Sequence, residues 1–156
     1  KEYRTGQVIK TAFKSFILHL STNNAKSTGT ARVEDNNLIL SLPKLENNDY
    51  YTRDFVNTLI SKGISADLLP AFTERVHDYN RIHSRWGSCA NTGNINFSTK
   101  ILLAPTNIMD HIIIHELAHL KEMNHGPRFW KWVEKGDPDY QKHEAWLKKF
   151  GDKLDF

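Results

Sequence analysis

A chain of 156 residues, 39% hydrophobic and 25% charged, has the size and balance of one globular domain, which excludes a disordered or fibrous chain. Its apolar stretches, such as residues 16–18 and 112–114, fall far short of the roughly 20 residues that a bilayer-crossing helix needs, so no membrane segment is expected. A formal charge of +3 is too small to argue for a polyanionic partner, and the single cysteine, Cys89, cannot form an internal disulfide and points to a reducing cytoplasm.

In chain order, weak alternation over residues 8–20 predicts β-structure. The apolar runs at 31–33 and 38–42, on either side of Glu34-Asp35-Asn36-Asn37, predict a hairpin closed by Pro43. Asn48 or Asp49 is the expected cap of a helix reaching about Ser61, with Gly63 as its stop. Leu68, Leu69, Phe72, Val76 and Tyr79 then recur at helical spacing over residues 65–80, so two helices are expected after the hairpin. Residues 81–86 alternate as a strand, Asn91-Thr92-Gly93 reads as a turn and residues 94–97 as a second strand. Thr106 or Asn107 caps a helix predicted to reach about Met123. Pro127 opens another over residues 126–135, and residues 138–150, with Tyr140, Trp146, Leu147 and Phe150, form a last amphipathic helix.

The segment His115-Glu116-Leu117-Ala118-His119 lies inside the best-defined of these helices. Four residues of α-helix rotate the second imidazole by only about 40° and raise it by about 6 Å, so both rings face one way. Neutral imidazole is a good Zn²⁺ ligand, and Glu116 stands beside such a metal, where it can take a proton from water without being a ligand. The alternative is a buried helix that carries two His and a Glu by chance. The apolar neighbours Ile112, Ile113, Ile114, Leu117, Ala118 and Leu120 argue against it, because a carboxylate among them is costly without a metal, proton or cation. A catalytic zinc needs a third protein ligand and one open position. His125 follows Asn124, a residue that tolerates the left-handed conformation ending many helices, and Glu134 and Glu144 are the alternatives. With such a metal, Glu116 would accept a proton from water and return it to the leaving group, which is amide hydrolysis without a covalent intermediate.

Several separated motifs go further: Arg85-Trp86-Gly87-Ser88-Cys89, Asn94-Ile95-Asn96, residues 102–105, the His-Glu motif, Asn124-His125-Gly126-Pro127, Phe129-Trp130 and Pro138-Asp139-Tyr140. In this order they resemble the YgjP-like metallopeptidase family, related to the SprT-like and WLM metalloproteases, from about residue 81 to about residue 150. The resemblance implies that His115, His119 and His125 are zinc ligands and Glu116 the catalytic residue. The N-terminal half matches less clearly. The His spacing also equals that of the metzincins, but Glu122 stands where those enzymes place Gly, and neither Met109 nor Met123 lies downstream to form their Met-turn.

Other residues carry weaker signals. Residues 94–97 read as an edge strand that a peptide could extend, or as an ordinary strand. Cys89 reads as a packed residue rather than an inhibitory thiolate, and His83 and Arg85 as oxyanion donors or structural hydrogen bonders. His111, one turn before His115, is either an outer partner of the metal site or a packed His, and stays outside the ligand set. Trp86, Trp130, Trp132 and Trp146 read as core, and the C-terminal lysines as a solvated face.

These readings converge on an α+β fold: a small, mostly antiparallel sheet packed on a zincin-type helix and C-terminal helices. Residues 1–156 form a single domain, with hairpin and helices to about residue 80 and the catalytic core beyond. The expected activity is a zinc-dependent, cytoplasmic metallopeptidase acting on peptide or protein, with weak nucleic-acid association suggested only by relatives that act on DNA-bound proteins. The competing readings are a non-proteolytic hydrolase of a nucleotide or other phosphate ester, and a module in which metal only holds the fold.

Overall fold

The computed structural model describes residues 3–23, 28–45, 50–82 and 97–153. The chain divides into two compact units, residues 1–69 (with residue 156) and residues 70–155.

In the first unit, β1 (Val8–Lys10), β2 (Ser15–Asn23), β3 (Thr30–Glu34) and β4 (Asn37–Pro43) form one sheet in the order β1-β2-β4-β3. The weak alternation at 8–20 thus resolves into two strands. They are separated at Thr11 and Lys14, where the Thr11 N–H donates to the Lys14 carbonyl at 3.0 Å. The predicted hairpin is β3–β4, with Glu34 opposite Asn37, Asp35 at φ 53° in the turn and Pro43 closing the strand. Aspartate tolerates that left-handed conformation better than most residues. β1–β2 and β3–β4 are antiparallel while β2–β4 is parallel, so the sheet is mostly antiparallel. Alternation puts Phe16 and Leu18 of β2 and Leu38, Leu40 and Leu42 of β4 in the buried set, as a two-residue side-chain period requires.

One helix, α1 (Arg53–Ile82), replaces the two expected. Its N-terminus is capped by Thr52, whose Oγ1 accepts from the Phe55 N–H at 3.2 Å; Asn48 and Asp49 lie outside the described residues. Gly63 does not stop the helix. A Cβ at Gly63 would lie 2.6 Å from Leu38 Cδ1 and 3.1 Å from Ala31 Cβ, so glycine is present because the helix passes close to β3 and β4. Gly63→Ala gains up to about 1 kcal/mol of helix propensity but overpacks against the fully buried Leu38, which typically costs about 1–3 kcal/mol. The expected net result in urea unfolding is destabilisation on the order of 1 kcal/mol, and a more stable variant would contradict the close-approach explanation. The boundary between the units falls inside α1, at Pro70, which has no N–H to offer the Ala66 carbonyl.

The second unit contains the end of α1, a 3₁₀ turn (Thr99–Leu103), α2 (Thr106–Ala118), α3 (Pro127–Gly136), α4 (Tyr140–Phe150) and a short 3₁₀ turn (Gly151–Lys153). Arg81 and Ile82 belong to α1 rather than to a strand, and residues 83–96 of the predicted second hairpin lie outside the described residues. α2 has Pro105 at its N-cap, not Thr106 or Asn107. It also ends before Met123: the His119 N–H is shared between the His115 and Glu116 carbonyls at 3.3 and 3.2 Å, and Leu120 bonds back to Leu117. This tightening of the last turn ends the helix without a left-handed residue at Asn124, since Asp35 is the sole non-glycine with positive φ among the described residues. Gly126 caps α3 and Pro127 occupies its first turn, where a missing N–H costs nothing. Ile114 and Ala118 of α2 pack with Phe129 and Val133 of α3, flanked by Tyr79, Trp130, Trp132 and Tyr140.

Arg75 of α1 and Asp110 of α2 form a two-pronged pair, Nε–Oδ1 2.5 Å and a second guanidinium nitrogen to Oδ2 2.6 Å. The hydrogen bond to Asp110 raises the Arg75 pKa, and burial raises that of Tyr79 beside it. The architecture is α+β. Among the described residues no helix is long and apolar enough to cross a membrane.

Candidate metal centre

α2 supplies His115 and Glu116, its C-cap is His119, and the loop between α2 and α3 carries His125 back over the end of α2. His125 Nε2 lies 3.0 Å from His119 Nε2 and 3.3 Å from His115 Nε2. Nitrogens at about 2.0–2.1 Å from a tetrahedral Zn²⁺ stand about 3.3 Å apart, so His125 is near the separation such an ion demands from each of its two partners. The fit does not depend on sequence spacing.

The opposite ring nitrogens of His115 and His119 each face an oxygen. His119 Nδ1–H donates to the Glu122 carbonyl at 3.2 Å, which leaves Nε2 unprotonated in the neutral ring. His115 Nδ1 faces the Glu144 carboxylate, with Oε1 3.4 Å away. Burial pushes the His115 pKa down to about 4, opposed by the Glu144 carboxylate and reinforced by His119, His125 and His111. At neutral pH the ring is therefore uncharged, the form that binds metal. Phe129 is fully buried beneath the cluster, its ring centroid 4.9, 4.5 and 4.8 Å from those of His115, His119 and His125.

Of the alternative third ligands, Glu134 is exposed and joins none of the potential metal-ligating groups among the described residues. Glu144 stands on the Nδ1 side of His115, away from the three Nε2 atoms, and can meet a metal only in a different grouping with His111 and His115. Glu116 is half-buried and is also outside every such group. It lines a cavity of about 270 Å³ together with Phe97, Ser98, Lys100, Ile101, Ile112 and Leu147. Among the described residues its carboxylate has no hydrogen-bond or ion-pair partner.

His111 is buried and takes no place with the three Nε2 donors. Its Nδ1 lies 2.6 Å from Asp137 Oδ2 and its Nε2 2.7 Å from Glu144 Oε1, while His143 Nδ1 is 2.7 Å from the same Asp137 oxygen. Asp137 and His143 carried no signal in the sequence, because they reach α2 from separate elements. Only the recurrence of His at 111, 115 and 119, one α-helical face, was visible there. His83, Arg85, Cys89 and residues 94–96 lie outside the described residues.

A family model described as YgjP-like, metallopeptidase domain, matches residues 65–150, more than half of the 156-residue chain. No curated protein and no solved structure matches the chain significantly.

Proposed function

Because the chain belongs to the YgjP-like metallopeptidase family, we propose that it is a zinc-dependent peptidase whose metal is held by His115, His119 and His125 and whose general base is Glu116. The observation that carries this reading is the convergence of three Nε2 atoms, with contacts of 3.0 and 3.3 Å.

When bound, a divalent metal supplies Lewis acidity, polarising a scissile carbonyl and making a water more acidic. The chain's own residues do the rest. His115 and His119 are oriented by acceptors on their Nδ1 sides, so little rearrangement is needed to hold the ion. Glu116, without a competing partner among the described residues, takes the proton of the attacking water at its carboxylate and returns it to the departing amine. Phe97, Ile101, Ile112 and Leu147 give the cavity beside Glu116 a largely apolar wall, suited to a substrate side chain flanking the scissile bond. Among the described lining residues Lys100 is the cation, less than a phosphate ester in that cavity calls for. A purely structural zinc is closed by four protein ligands, whereas the His cluster here offers three among the described residues.

Metal removal tests the activity. Chelator-stripped protein is expected to lose hydrolysis of casein and of a peptide library and to regain it with one equivalent of Zn²⁺. Zinc-dependent turnover of nucleoside triphosphates in place of peptides would overturn the peptidase reading.

A further inference from the structure

The His115 ring is held from behind by a carboxylate on α4, a helix with no fully buried side chain of its own. Glu144 is 37% exposed, and a glutamate at such a site normally samples several rotamers. Its Oε1 nevertheless sits 2.7 Å from His111 Nε2, a hydrogen bond, and 3.4 Å from His115 Nδ1, within ion-pair range, so one oxygen stands against both rings. His111, with a side chain of 0% exposure, is fixed in turn by Asp137 at its other nitrogen, and Asp137 by His143. Both ring nitrogens of the buried His111 thus have carboxylate partners, the condition under which a buried network is rigid.

We propose that His143, Asp137 and His111 form a positioning relay that holds Glu144 against Nδ1 of His115 and so presets His115 for metal. The proposal rests on the metal-centre reading above and adds four residues that touch no substrate. The grouping of Asp137 with His111 and His143 does not suit a second metal. Asp137 Oδ2 lies 2.6 and 2.7 Å from the two imidazole nitrogens, which are hydrogen-bond lengths, shorter than the roughly 3.3 Å between neighbouring ligand atoms around tetrahedral zinc. The relay joins α2, the residue after α3, and α4, so it also explains how a ligand on one helix responds to side chains 22 and 28 positions further along the chain, at Asp137 and His143.

The test is zinc affinity, measured by competition with a chromogenic chelator, with the Co²⁺ visible spectrum as a report on ligand geometry. Glu144→Gln and His111→Leu are each expected to weaken zinc binding about 10–100-fold. If His111 acts through Glu144, the double variant is no weaker than Glu144→Gln alone, a non-additivity that a general loss of packing does not produce. Asp137→Asn, which keeps shape and removes charge, should weaken binding in the same direction and reads the relay from its far end even where His111→Leu folds poorly. Wild-type affinity in Glu144→Gln, additive losses in the double variant, or a second zinc bound by wild type and lost in His143→Ala would each overturn the relay. Because affinity is measured without turnover, a protein that binds zinc and cleaves no peptide would fail the peptidase reading while leaving this one tested. Wild type that binds no metal would overturn both.

Discussion

Glu116→Gln is expected to lower kcat for peptide hydrolysis by about 10²–10⁴-fold while zinc remains bound at the wild-type stoichiometry. The substitution preserves volume and removes the proton acceptor. Glu116 belongs to no group of potential ligands among the described residues, so metal retention is the expected companion result. The carboxylate lines the cavity and has no ion pair with the described residues to lose, so stability and KM should change little. Steady-state kinetics on one fluorogenic peptide, with metal analysis of the same preparation, separates the outcomes. Retained kcat would move the base elsewhere, and lost zinc would make Glu116 a ligand.

Phe129→Ala is the second large effect. The ring is fully buried, packs with Ile114, Ala118 and Val133, and lies under all three imidazoles. Truncating a buried Phe to Ala costs about 3–5 kcal/mol, because the lost transfer energy is joined by a cavity that the neighbours fill only partly. Urea unfolding of the metal-free protein should show that loss. Zinc affinity should fall as well, since the cavity opens on the side that fixes the three rings. Phe129→Leu, which keeps most of the volume, should recover much of the stability and less of the affinity. A metal-free Phe129→Ala protein as stable as wild type would show that the ring is not the floor of this cluster.

What the sequence revealed of the site follows the range of its regularities. His115, Glu116 and His119 share one helix, and helical geometry alone predicts how they face. His125 lies six positions after His119, and its return was foreseen while the means was not: the last turn of α2 tightens through shared hydrogen bonds, with no left-handed residue at Asn124. Carboxylates bind zinc, so the sequence offers Glu144 as an alternative ligand. Its position on the Nδ1 side of His115 depends on where α4 docks, which no local pattern encodes. The pairing of Asp137 with both His111 and His143 was invisible for the same reason.

The fold shows the same division. Alternation and the Asp35 turn were enough for the β3–β4 hairpin, but the parallel β2–β4 pairing joins strands separated by β3 and is fixed by burial of one face of each. Gly63 was read as a stop because glycine is a poor helix former, yet close packing against Leu38 and Ala31 selects the same residue inside a helix. Local propensity cannot tell the two uses apart.

The central claim is that three histidines hold one zinc, and the zinc content of freshly purified wild type and His119→Ala tests it most directly. One zinc per wild-type chain, with little in His119→Ala at the same chelator concentration, is the predicted result. No metal in wild type, or full occupancy retained in His119→Ala, would contradict it.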